Sequence, residues 1–174
     1  MSELSPTITR DAERPVVALR PMDRGHLDAV LAIEQEGFTN PWRRSDFESA
    51  LDRADSQCLM AEVDGVFVGY TVGFFVLAEY HLADFAIHAD RRRQGLGKAL
   101  LVRLLAELAS RPLDYATLEV RASNEAAIGL YEGLDFRTVA IRRGYYSMPT
   151  EDALVMIRAL RGSLSDWTAG IRGL

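Results

Sequence analysis

The apolar positions of this chain change period several times, and each change marks an element. Leu96, Leu100, Leu104 and Leu108 fall four residues apart, with Leu101 and Leu105 as an adjacent ridge. That spacing lays a broad apolar stripe along one face, so a helix is predicted from Gly95 as far as Arg111-Pro112. Residues 115–121 alternate instead. Ala116, Leu118 and Val120 take one side, while Tyr115, Thr117, Glu119 and Arg121 take the other, the period of a half-buried strand. Upstream, residues 59–63 and 66–70 flank Asp64-Gly65, a dipeptide suited to the positive φ angles of a two-residue hairpin turn. Residues 71–76 either lengthen the second of these strands or belong to a third, and residues 81–88 form the next. Near the start, residues 16–19 read as a short strand ending at Pro21. Asp23 is the candidate N-cap of a helix reaching about Glu36, in which Leu27, Val30, Leu31 and Glu34 recur near helical spacing. Asn40-Pro41 signals a turn before a short helix over 45–51. A helix over 124–132 and strands over 136–141 and 153–157 complete the pattern. One domain over 15–160 is expected, between a loose polar tail at 1–14 and a glycine-containing tail at 161–174.

Composition narrows the class. The 174 residues are 48% apolar, enough for one core. The most apolar stretch, residues 66–78, is interrupted by Gly69 and Gly73 and is shorter than the ~20 residues of a membrane-spanning helix, so strands are expected there and no membrane partner. Residues 1–14 include Asp11, Glu13 and Arg14 and lack the apolar run of a secretion signal. The single cysteine, Cys58, excludes an intramolecular disulfide and a Cys-rich metal cluster, so a reducing, cytoplasmic setting is expected. Twenty Lys and Arg against 25 Asp and Glu give a net charge of −5. That balance argues against a general nucleic-acid binder and suits a positively charged partner such as an amine or a basic peptide.

The candidate chemistry begins where a strand gives way to Arg92-Arg93-Gln94-Gly95-Leu96-Gly97-Lys98 at a helix start. The first turn of a helix presents N–H groups without intrahelical partners and a partial positive charge, which together attract phosphate oxygens. The glycines permit close approach, and Arg92, Arg93 and Lys98 add charge. The segment is neither a P-loop, since Ala99 follows Lys98, nor a dinucleotide-binding fingerprint. From the residues alone, a phosphate cradle and a surface arginine cluster capping a helix both remain open.

With Arg92-x-x-Gly95-x-Gly97 in place, the chain resembles the GNAT superfamily of acetyl-CoA-dependent acetyltransferases, whose pyrophosphate loop has that form. A second run, Leu118-Glu119-Val120-Arg121-Ala122-Ser123-Asn124 with Ala127, Leu130-Tyr131-Glu132 and Phe136, is similar to the RimI-type branch, the ribosomal-protein N-terminal alanine acetyltransferases. Ile33-Glu34-Gln35, Pro41-Trp42, Arg142-Arg143, Tyr145-Tyr146 and Glu151-Asp152-Ala153 extend the likeness over residues 16–158. The resemblance implies an α/β GNAT fold: a mixed, largely antiparallel sheet with helices on both faces, split near its centre to admit acetyl-CoA. It also implies that Phe85, Ala86 and Ile87 pair with the pantetheine arm, that Arg92, Arg93, Gln94, Gly95, Leu96, Gly97 and Lys98 hold the pyrophosphate, and that Asn124 contacts the cofactor. As a residue, Asn124 is equally an N-cap. Pro41, Trp42, Tyr145 and Tyr146 match loops lining the peptide groove of N-terminal acetyltransferases, and aromatic packing is their plain alternative.

Acetyl transfer requires an uncharged amine, yet an α-amino group has a pKa of ~8 and a lysine ~10.4, so a base is useful near neutral pH. Glu119 matches the family's general base. Its alternative is an exposed strand glutamate or a salt bridge to Arg121. The departing thiolate, with a pKa near ~8.5, is served by a phenol, and Tyr131 matches the family's acid. It lies seven residues, two helical turns, beyond Asn124. A backbone N–H of the Phe85, Ala86 and Ile87 strand is the expected donor to the thioester oxygen. Cys58 reads as a small buried residue. His81, Asp84 and His88 are poor metal ligands because His81 and Asp84 would face opposite sides of a regular strand. One departure from the family is Leu134-Asp135-Phe136, where a glycine normally supplies a left-handed turn; Asp tolerates that conformation less well than Gly, and Gly133 offers a shifted turn. The expected acceptor is a protein amino terminus, by resemblance the alanine of small-subunit ribosomal protein 18. Lysine side chains, small amines and a non-catalytic acetyl-CoA-binding module are the alternatives.

Overall fold

The computed structural model describes residues 15–163. The tail expected over 1–14, and residues 164–174 of the tail expected over 161–174, lie outside the described residues. The alternating and four-spaced segments become strands and helices at the expected places. A first strand, β1 (Ala18–Pro21), leads to a single 3-10 turn over Arg24–His26 and then to α1 (Leu27–Gly37). Asp23 caps that turn, its Oδ1 accepting from the Gly25 N–H at 2.8 Å, so the capping residue acts one turn earlier than a simple helix start requires. Next come α2 (Arg44–Asp52), β2 (Ser56–Val63) and β3 (Val66–Val76). Asp64 and Gly65 take φ of 52° and 75°, which closes the predicted hairpin. The ambiguous residues 71–76 lengthen β3. They pair along β4 (Glu79–Ile87), which continues into the arginine loop and α3 (Leu96–Ala109).

The remaining elements are β5 (Tyr115–Arg121), α4 (Glu125–Glu132), β6 (Arg137–Ser147) and β7 (Thr150–Ala159). The last two strands run longer than their apolar patterns. Most of β6 is exposed at the sheet edge, so no buried face imposes alternation on Arg142, Arg143, Tyr145 and Tyr146. The helix after Asn124 ends in a left-handed residue at Asp135, φ 64°, while Gly133 stays right-handed at φ −66°. The left-handed turn therefore falls at the aspartate itself, and Gly133 does not shift it.

The described residues form one seven-stranded sheet in the order β1-β2-β3-β4-β5-β7-β6, antiparallel except between β4 and β5. Helices cover both faces. The leucine stripe of α3 packs with Leu82, Leu118, Phe136 and Met156 on one side, and α1 and α2 pack Leu27, Val30, Ile33 and Phe47 against Met60, Tyr70 and Val72 on the other. No helix among the described residues is long and apolar enough to cross a membrane.

Two features of the sheet position the site. β4 and β5 pair only from Glu79↔Tyr115 to Leu82↔Leu118, although β4 continues to Ile87 and β5 to Arg121. Past Leu82 they part, which leaves the β5-facing edge of Phe85, Ala86 and Ile87 without a strand partner, the expected central split. Second, β4 carries an extra residue, Ala83, where the β3 register jumps from Val72↔Asp84 to Gly73↔Leu82. Leu82 therefore packs on the α3 side while Asp84 turns to the α1 side. The expectation that His81 and Asp84 face opposite sides is corrected by this bulge: both lie on the face that carries Thr117 and Glu119. Each is nonetheless engaged elsewhere, His81 with Thr117 and Glu119 and Asp84 with Tyr70, and no group of three metal-ligating side chains assembles among the described residues.

Candidate active site

The arginine loop turns sharply because two residues, Arg93 and Gly95, take left-handed backbone, at φ 64° and 77°. For Arg93 that conformation costs about 1–2 kcal/mol, and glycine avoids the cost at Gly95. Left-handed residues on either side of Gln94 make a bend of the kind that turns successive N–H groups toward an anion. Gly95 is the N-cap of α3. Its carbonyl accepts from Ala99 at 3.0 Å, so the N–H groups of Leu96, Gly97 and Lys98 have no partner within the helix. The side chains divide the work. Arg92 reaches back, its Nε donating to the Ile87 carbonyl at 3.0 Å, and Gln94 donates to the Asp90 carbonyl at 3.1 Å. These two brace the loop, while Arg93 and Lys98 stay exposed. Leu96 is buried beneath the loop. Gly97 lies over the β4 strand, where a Cβ would come within 3.4 Å of the Phe85 ring.

Asn124 caps α4 through its Oδ1, which accepts from Ala127 at 3.1 Å, and the cap leaves its amide NH2 uncommitted to the helix. Two turns on, Tyr131 is 7% exposed, its ring edge-on to Phe136 at 5.8 Å. Burial, then the nearby Asp84 carboxyl and Tyr146, push its phenol well above the usual tyrosine value, so it holds its proton throughout the neutral range.

Glu119 stands on the face of β5 opposite the core, with its side chain 15% exposed. Oε1 accepts from Arg142 Nη1 at 2.8 Å, and Oε2 lies 3.2 Å from His81 Nε2. His81 is set in turn by Thr117, whose Oγ1 is 3.2 Å from Nδ1. The alternative salt bridge of Glu119 to Arg121 does not form: Arg121 pairs with Glu151 at 3.2 Å and lies 4.1 Å over the Tyr146 ring. Glu151 also accepts from the Ser123 N–H at 2.6 Å, fastening the β5–α4 turn to β7. Arg142 lies 4.3 Å over Tyr145, and the two tyrosine rings meet edge to face at 5.1 Å. Tyr146 is the link across the centre. Burial leads the causes that push its hydroxyl up to about 12, and it feels the charge of Glu119 while itself acting on Tyr131. The pair Glu119 and Tyr131, together with Tyr145 and Tyr146, thus converges on one region beside the β4–β5 split.

The Pro41–Trp42 loop approaches from the α1–α2 side. Trp42 donates its N–H to Glu34 Oε1 at 2.6 Å, and its ring tilts on Phe47 at 5.3 Å, with Pro41 alongside. Glu34 is 1% exposed and Asp84 7%, two carboxyls within an otherwise apolar layer, bridged by the Tyr70 hydroxyl. Burial, then the charge of Glu34, raises Asp84 to about 8. Sequence reasoning missed this group and the His81–Glu119–Arg142 cluster. The visible signals were a glutamate on the apolar face of α1 and a lone aspartate inside Leu82-Ala83-Asp84-Phe85-Ala86-Ile87. Cys58 sits 8% exposed in the same apolar layer, and burial raises its thiol pKa, as suits a packing residue.

Residues 27–136, spanning α1 through α4, match the model of the Acetyltransferase (GNAT) family. The chain belongs to the GNAT acetyltransferase family. It is an acetyl-CoA-dependent N-acetyltransferase, and its seven-stranded mixed sheet with helices on both faces is the GNAT fold. Among its relatives, the [ribosomal protein bS18]-alanine N-acetyltransferase of Escherichia coli K12 is 40% identical over 134 residues, 75% of this chain and 88% of that one. A putative enzyme of the same name from Bacillus subtilis is 36% identical over 143 residues, 80% and 93% of the two chains. The crystal structure of the Escherichia coli ribosomal-protein-S18-alanine N-acetyltransferase superposes with a TM-score of 0.78 at 35% identity, covering 85% of this chain and 96% of that one. Arabidopsis thaliana NAA60 in complex with acetyl-CoA shares the fold, with a TM-score of 0.74 at 20% identity over 84% and 100%.

Proposed function

We propose that this GNAT enzyme acetylates the N-terminal α-amine of a protein, the alanine of ribosomal protein bS18 being the acceptor, with Glu119 as base and Tyr131 as acid. The observation that carries the reading is the placement of Glu119 between the split and the Tyr145–Tyr146 hairpin, in a chain 40% identical to an enzyme named for that acceptor. The cradle of Arg93, Gly95, Leu96, Gly97 and Lys98 takes the pyrophosphate, and the free edge of Phe85, Ala86 and Ile87 takes the pantetheine arm and supplies a donor for the thioester oxygen. Asn124 adds its amide donor.

The acceptor peptide lies between Trp42 and the tyrosine hairpin. Its ammonium approaches Glu119 from the side held by Arg142 and competes for Oε1. Glu119 accepts the proton, directly or through a water, and the freed lone pair attacks the thioester carbonyl. Tyr131, still protonated, donates to the sulfur as negative charge develops there. The net charge of −5 favours a basic acceptor over a nucleic acid, and the lone cysteine suits a cytoplasmic setting.

The test is acetyl transfer to peptides beginning Ala-Arg, to the same peptides blocked at the α-amine, and to peptides with internal lysines. Activity confined to the free α-amine is expected. Equal turnover on blocked lysine peptides would instead make the enzyme a side-chain acetyltransferase.

A further inference from the structure

Two carboxyls and one phenol are buried together on the α1 face of the sheet, and the mechanism above uses none of them. Glu34 Oε2 is hydrogen-bonded to the Tyr70 hydroxyl, which also lies 3.1 Å from Asp84 Oδ2. A phenol carries one proton, so it donates to only one of two ionised carboxylates and leaves the other facing an oxygen lone pair. One added proton on Asp84 satisfies every member. Asp84 then donates to Tyr70, Tyr70 donates to Glu34, and the other oxygen of Glu34 accepts from the Trp42 N–H at 2.6 Å. At one end the chain abuts Phe85, next to Asp84 on the cofactor strand. At the other it holds the backbone of a loop residue that, on the proposed function, lines the acceptor groove.

We propose that Glu34, Tyr70 and Asp84 are positioning residues, a hydrogen-bonded chain holding one proton that sets the Trp42 loop against the cofactor strand for the acceptor. The proposal rests on that reading of the acceptor groove. The groups that face Asp84 are Glu34 from α1 and Tyr70 from β3, with Tyr131 of α4 within electrostatic reach, while His81 and Glu119 on the same face are paired with each other. Loss of the proton leaves two buried anions on one phenol, so the link to Trp42 slackens as Asp84 ionises.

Two kinds of measurement test this. In the Trp167→Phe protein Trp42 is the sole tryptophan, and its emission is expected to titrate with a midpoint at the Asp84 pKa of about 8. The titration disappears when Asp84→Asn is added, because the amide donates to Tyr70 at every pH. In kinetics, Tyr70→Phe is expected to raise the acceptor KM several-fold and leave the acetyl-CoA KM unchanged, and Asp84→Asn to raise the acceptor KM less than Asp84→Ala. A Trp42 titration that survives Asp84→Asn overturns the proposal, as do equal rises in both KM values. Should peptides beginning with alanine prove not to be acceptors at all, the proposed function fails, and the Trp42 titration still decides the chain.

Discussion

On the proposed function, the cofactor half and the acceptor half of this enzyme are built from different materials. The cofactor half uses backbone: the open edge of β4, a bend with two left-handed residues, and the N–H groups that begin α3. Its side chains, Arg92 and Gln94, mostly brace carbonyls of the loop itself. The acceptor half uses side chains from separate elements, with Glu119 from β5 held by His81 from β4 and Arg142 from β6, and Trp42 held by Glu34 from α1. A backbone cradle depends on local conformation and tolerates exchange of most neighbours. A cluster of side chains depends on register, so one substitution or one bulge rearranges it. Acetyl-CoA recognition is thus the robust half and acceptor chemistry the easily altered one.

The sharpest break of that contrast is Glu119→Gln. It keeps the size of the side chain and one acceptor oxygen but removes the base, so kcat should fall on the order of 10³-fold with little change in the acetyl-CoA KM. Steady-state kinetics at pH 7 checks this, and turnover within a few-fold of the parent would move the base elsewhere. Tyr131→Phe should follow at on the order of 10²-fold in kcat, again without loss of cofactor affinity, which direct titration with coenzyme A measures.

Between the halves, Asp84 makes a stability prediction. Its carboxyl keeps a proton in the folded protein up to about pH 8 and loses it in the unfolded chain near the ordinary carboxylate value of ~4. The folded state binds more protons in that window, so stability falls as pH rises from the lower value to the higher and levels off above it. Between pH 6 and 8 the fall amounts to about 2 kcal/mol. Asp84→Asn should remove that slope, read by denaturant titration at several pH values; an unaltered slope would show that Asp84 is not its source.

The mildest effect belongs to the cofactor half. Gly95→Ala places a Cβ on a left-handed residue, φ 77°, at a cost of about 1–2 kcal/mol. Relaxation of the unliganded loop out of that conformation makes cofactor binding bear the cost, so a roughly tenfold weaker acetyl-CoA KM is expected with the acceptor KM unchanged. A change confined to the acceptor KM would reverse the assignment of the two halves.

How much of each half was legible follows from the same contrast. The leucine period of α3, the alternation of β5 and the Gly-x-Gly start are local, and each became the expected element. On the acceptor side the alternation of β5 gave only the facing of Glu119, while the roles proposed for Glu119, Tyr131, Tyr145 and Tyr146 come from resemblance alone. Its partners were hidden. Arg142 lies on a mostly exposed edge strand without a buried face to impose alternation, and the relation of His81 to Asp84 was misread because a single extra residue in β4 inverts the facing of everything beyond it.

The chain's own residues determined the elements, the hairpin at Asp64-Gly65, the Gly-x-Gly start of α3 and the facing of Glu119 away from the core. These depend on periodicity and on backbone preferences that act over a few residues. Tertiary structure alone decided that β4 and β5 separate after Leu82 and Leu118, that Glu119 is held by His81 and Arg142 in place of Arg121, and that Glu34, Tyr70 and Asp84 share a buried layer. The reason is physical. Strand register and burial are settled by the whole sheet packing at once, and the partner of a charged side chain is whichever group that packing brings within reach.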